Sequence, residues 1–151
     1  MVSFKLKEYN EKHGVALPSH AMLEFEESEA LFATLLRKHG IDVEDKMAGV
    51  LFERMVHPVE CGNAKERSFS LADIFELLDL RPSRMICCYW FHWGDPTDLI
   101  DWEILATHFH EIWLPGRDDL VLFDESMTWL VHIHHSGDVY WHSADEKSAS
   151  T

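Results

Sequence analysis

Apolar positions along the chain follow two different periods. Leu31, Phe32, Leu35 and Leu36 share one helical face, with Ser28 before them as a cap and Arg37, Lys38, His39 and Gly40 after them. A basic last turn and a glycine stop complete that signal, so a helix is expected over 29–39. Asp42 caps a second helix running to Val56, with Val43, Met47, Val50, Leu51 and Arg54 on its inward side and His57-Pro58 ending it. Ser70 and Asp73 form a capping box, with Asp in place of the usual Glu, ahead of inward-facing Leu71, Ile74, Phe75 and Leu78; Arg81-Pro82-Ser83 stops that helix. A fourth helix is expected from Asp98, with Asp101 at its third position. Trp102, Leu105, Ala106, Phe109, Ile112 and Trp113 recur there at helical spacing until Pro115-Gly116. Residues 1–27 carry less: a turn at Leu17-Pro18-Ser19, then Met22 to Glu27, which suits a short strand or the approach to a helix.

Other segments alternate with period two. Met85 to Trp93 is uncharged and rich in β-formers, so it reads as a central strand closed by Gly94-Asp95-Pro96. Leu120–Phe123, Thr128–His134 and Val139–His142 follow as short strands. Parity then chooses the turn of the last hairpin. A three-residue loop, His135-Ser136-Gly137 with glycine left-handed, puts Trp129, Val131, Ile133, Val139 and Trp141 on one apolar face. A two-residue turn would split them. The chosen register sets His132 opposite Tyr140 and His134 opposite Asp138, on the other face with Leu130 and His142. The expected fold is α+β: one domain over 1–143, about four helices packed on an antiparallel sheet of four to five strands ending in a C-terminal meander, then a polar tail over 144–151.

Composition narrows the functional classes. A chain of 151 residues suits one domain. Of three cysteines, Cys87 and Cys88 are adjacent and point to opposite faces of a strand, so no disulfide framework is expected and a reducing, cytoplasmic setting is. No apolar run reaches the length of a membrane span. The net charge is −14, and from Asp95 to Thr151 there are 12 acids against 2 bases. A field of that sign repels nucleic acid and anionic membrane and attracts a basic protein partner.

Candidate chemistry is sparse. HExxH, CxxC, GxSxG and glycine-rich phosphate loops are all missing, so no cofactor is expected and catalysis has no motif behind it. The carboxylate pairs Asp98/Asp101, Asp118/Asp119 and Asp124/Glu125 fall in turns and caps, where acids have ordinary structural work. Seven of the eleven histidines lie between His92 and His142. In the chosen hairpin register His132, His134 and His142 are partial ligands for a transition metal, the basis of an alternative reading as a metal-dependent enzyme. His108 and His110, two apart on a helix, point away from each other. A regulatory or scaffold module is a further alternative. The favoured surface combines Asp95, Asp98, Asp101, Glu103, Glu111, Asp118, Asp119, Asp124 and Glu125 with the aromatic anchors Trp93 and Tyr140, because charge speeds encounter with a basic cleft and desolvated aromatics slow release.

The stretch from Ile112 to Trp129, with Trp113-Leu-Pro-Gly-Arg-Asp-Asp-Leu-Val-Leu-Phe-Asp-Glu-Ser inside it, and His135-Ser-Gly-Asp-Val-Tyr-Trp141 after it, resembles the C-terminal strands of small acidic bacterial immunity proteins. The resemblance covers about a third of the chain, and the N-terminal helices have no counterpart in it. It implies a cytoplasmic, non-catalytic inhibitor that binds a cognate toxin, such as a nuclease.

Overall fold

A computed structural model describes residues 3–60, 62–91 and 95–145. Among these, six helices flank a seven-stranded, wholly antiparallel sheet, so the mixed α+β class holds while helices and strands outnumber those expected. The strands are β1 (His20–Met22), β2 (His57–Pro58), β3 (Met85–Trp90), β4 (Asp98–Asp101), β5 (Leu120–Phe123), β6 (Trp129–Ile133) and β7 (Val139–Ser143). Their order across the sheet is β1-β4-β3-β5-β6-β7-β2. Three strands go beyond those read from the pattern, β1, β2 and β4; the first two are the shortest, three and two residues, and sit at the edges. Neither carries enough alternation to be seen in sequence. Pro58 is tolerated because an edge strand has ladder positions that need no N–H.

The helices are α1 (Ser3–His13), α2 (Phe25–Lys38), α3 (Ala48–Met55), α4 (Leu71–Leu77), α5 (Trp102–Thr107) and α6 (Phe109–Ile112). They cover both faces of the sheet. On one, Tyr9, Leu71, Ile74, Phe75, Leu105, Phe109 and Ile112 pack on Ile86, Cys88, Trp90, Leu120, Leu122, Val131 and Ile133. On the other, Phe32, Leu35, Leu36, Phe52 and Val56 pack on Cys87, Tyr89, Val121, Phe123 and Leu130. Strict alternation along β3 and β5 sends neighbouring residues to opposite cores. Cys87 and Cys88 divide in this way, and burial pushes the Cys87 thiol up to about 12 and that of Cys88 well above its usual range. Both thiols are therefore inert at neutral pH.

Several local expectations are corrected. Helix α2 begins at Phe25, four residues before the sequence signal, and Ser28 does not cap it. Ser28 is buried within the helix, and its hydroxyl bonds the Thr97 hydroxyl (2.5 Å) and the Thr97 N–H (2.8 Å), tying α2 to the start of β4. Asp42 and Asp45 make turns, accepting from Glu44 N–H and Met47 N–H, so α3 starts only at Ala48. Its buried residue is Phe52, while Met47 and Leu51 are exposed. The helix expected from Asp98 is a strand and two short helices: β4 pairs with both β1 and β3, and the chain breaks at His108. Asp101 is the cap, its side chain accepting from Glu103 N–H. The apolar stripe misled because a helix begun one turn later keeps the same face.

The hairpin and the capping box stand as expected. Ser70 Oγ accepts from Asp73 N–H. Ile133 pairs with Val139, Val131 with Trp141 and His132 with Tyr140. Gly137 is left-handed at φ 93°, and any side chain there would also run into the Asn63 amide.

Candidate functional site

The acids expected at one binding surface divide into two sets. Asp98, Asp118, Asp119 and Asp124 are buried and are therefore removed from any contact surface. Each accepts hydrogen bonds that loops and turns leave over. Asp98 takes the His20 ring N–H and the Trp90 indole N–H (2.8 Å); burial pushes its carboxyl up, yet the group lies below its usual range, and both donors contribute to that lowering. Asp118 pairs with buried Lys5 and accepts the Leu114 N–H (2.8 Å). Asp124 accepts the N–H groups of Ser83 (2.9 Å) and Ser126 (3.0 Å). Glu103 and Glu125 are exposed, and Asp95, Asp101 and Glu111 are partly so. Asp101 also pairs with Arg84 (3.1 Å). Trp93 lies outside the described residues, and Tyr140 is half-buried in a pocket instead of standing out as an anchor.

That pocket gathers two of the histidines singled out in the sequence, His132 and His134. Its volume is about 270 Å³, lined by Glu53 and Val56 from above and by Phe91, His132, His134 and Tyr140 on the sheet. Register builds its floor. Val121 pairs with His132 and Leu120 with Ile133, so Asp119, one residue before β5, lies across from His134 on the face that carries His132 and Tyr140. Helix α3 ends at Met55 and leaves this corner of the face open to form the pocket.

Three imidazoles converge on Asp119. His132 Nε2 and His134 Nε2 each stand 3.7 Å from its Oδ1, and His135 Nδ1 is 3.0 Å from Oδ2. The His135 backbone N–H also donates to Oδ1 (3.0 Å). His132 is 5% exposed, and its Nε2 makes no hydrogen bond. Burial holds the His134 imidazole below the usual histidine range, although Asp119 pulls the other way. A neutral imidazole beside a carboxylate can accept a proton, donate one, or ligate an ion.

His142 does not join this group. It faces His39, just past α2, with Nδ1 atoms 2.6 Å apart, and its ring lies against His57. His39 Nε2–H donates to the Met127 carbonyl (2.9 Å), so in the neutral pair His142 donates from Nδ1 to His39 Nδ1. Neither Asp119 nor His135 stands out in the sequence as a partner of His132 and His134. Extending strand parity from β6 to β5 would have found Asp119; nothing local marks His135, which reaches the carboxylate only through the fold of its loop. A second cluster, His13, His108 and Glu111, lies between α1 and α6, with Lys12 Nζ 2.7 Å from Glu111. No family model matches the chain, and no curated protein or solved structure is detectably similar to it.

Proposed function

We propose that this protein is a non-catalytic binding protein of the immunity type, which engages a basic partner, such as a nuclease toxin, through an acidic surface. The observation that carries the reading is the edge of the sheet at β1. Met22 and Phe25 are 57% and 50% exposed there, beside exposed Glu24, Glu26 and Glu27. Two exposed apolar side chains and three exposed carboxylates in one six-residue segment, in a chain of net charge −14, suit a partner of opposite charge with an apolar centre. β1 is the first strand of the sheet, and the Leu23 N–H bonds the Thr97 carbonyl, which sets the acidic segment beside Asp95. The surface thus keeps part of the expected acidic region and adds a segment that charge counting passed over. Capture from a cell lysate on immobilised protein tests this. The wild type should retain a basic protein that moderate salt releases. Reversing Glu24, Glu26 and Glu27 to Lys, or Phe25→Ala, should abolish retention; an unchanged set of retained proteins in both variants sinks the reading.

A further inference from the structure

We propose that the Asp119 cluster binds one divalent transition-metal ion of the zinc class, held by Asp119, His134 and His135, with the fourth coordination position turned toward His132 and the pocket. The ligand atoms of these three residues all lie within 4.8 Å of one another. Tetrahedral coordination with bonds of about 2.0–2.1 Å separates ligand atoms by roughly 3.3–3.4 Å. From the shared Asp119 Oδ1 the spacings to His134 Nε2 and His135 Nδ1, 3.7 Å and 3.2 Å, bracket that value. Two imidazoles and a carboxylate select the borderline cations zinc, cobalt, nickel and copper over magnesium or calcium, which want oxygen alone.

Two independent features point to a ligand here. The first is His132: a buried ring nitrogen without a hydrogen bond is costly, and this one stands 3.7 Å from the same Asp119 oxygen and lines the pocket. An ion at Asp119 places a water, or His132 itself, where that nitrogen finds its partner. The second is the support behind His134. Ser136 Oγ donates to Asp138 Oδ2 (2.9 Å) and lies 2.7 Å from His134 Nδ1. With the hydroxyl proton spent on Asp138, Oγ accepts from Nδ1–H and leaves the His134 Nε2 lone pair aimed at Asp119. The Ser136 backbone N–H, 3.1 Å from Nδ1, serves the other tautomer, so metal binding would select between two arrangements already built. The His13–His108–Glu111 group lacks such provision, because Lys12 already neutralises its carboxylate.

The test uses the full chain without a histidine tag, stripped with a chelator and titrated first with cobalt(II), then with zinc. The expected result is one equivalent bound, with the intense visible bands of tetrahedral cobalt, and displacement by zinc. His134→Gln and His135→Gln, at partly exposed rings that the fold does not need, should each weaken cobalt affinity at least tenfold. Ser136→Ala, as a positioning change, should weaken it roughly ten- to a hundredfold. His132→Gln should keep the stoichiometry and change the spectrum; an unchanged spectrum overturns its place at the fourth position. No stoichiometric uptake by the wild type, or uptake indifferent to His134→Gln and His135→Gln, overturns the site. Reversal of Glu24, Glu26 and Glu27 should leave the titration unmoved, so this inference and the binding reading fail separately.

Discussion

Asp119 and Glu111 each gather histidines, yet the two clusters are opposite in design. Asp119 is 2% exposed, and the partners described around it are imidazoles and a backbone N–H. Glu111 has a side chain 22% exposed and holds His13, His108 and the Lys12 ammonium. Burial pushes the Glu111 carboxyl up, but these donors outweigh it and bring the group down to about 2. A carboxylate already paired with lysine at a wet surface has little left to offer an ion. One held in the interior by imidazoles can exchange their protons for an ion. The difference teaches that composition does not make a site: the same residue types give a surface ion-pair network between α1 and α6 and a candidate centre beside β5 and β6.

Removing the two carboxylates should break the comparison most visibly. Asp119→Ala leaves buried donors without an acceptor and should cost about 3 kcal/mol, seen as a lower urea midpoint. Glu111→Gln should cost under about 1 kcal/mol by the same measurement. Equal losses would mean that burial does not separate the clusters. Zinc comes next in size: at a free concentration about a hundredfold above its dissociation constant it should add ~2.7 kcal/mol. In a domain of this length that raises Tm by roughly 5–10 °C. His135→Gln should remove about half of the rise or more, whereas His13→Gln should leave it intact.

Acid separates the buried histidines from the Glu111 cluster by pH window. Burial pushes His39 down to about 4 and moves His134 in the same direction. Between pH 6.5 and 4 the unfolded chain binds protons that folded His39 refuses, so stability falls as pH drops through that window. For His39 the loss reaches at most roughly 3 kcal/mol. Glu111 acts lower: its unfolded form protonates near 4.5 and its folded form near 2, so its contribution, present above 4.5, disappears as pH falls toward 2. Urea melts across pH should show His39→Gln flattening the upper window and Glu111→Gln only the lower; exchanged effects would refute the assignment. Smallest of all, reversing Glu24, Glu26 and Glu27 should change stability by no more than about 0.5 kcal/mol, since exposed charges contribute little to folding.

Much of this is legible in the sequence. The register that pairs Ile133 with Val139, the left-handed Gly137 and the Ser70 cap all follow from parity, turn chemistry and capping, which act within a dozen residues. The strand at Asp98–Asp101 was not legible, because its partners β1 and β3 decide it and its own four residues do not. Nor was the burial of Asp98, Asp118 and Asp124. A formal charge says nothing about whether loop N–H groups will draw a carboxylate inside.

The sequence by itself therefore determined the α+β class, the final hairpin and the strong acidity. Those properties depend on local period, on backbone angles open chiefly to glycine, and on simple charge. Tertiary structure alone decided which acids stay in water and which histidines meet Asp119. Convergence of side chains from β5, β6 and a loop is a property of register across the sheet, and nearby sequence does not encode it.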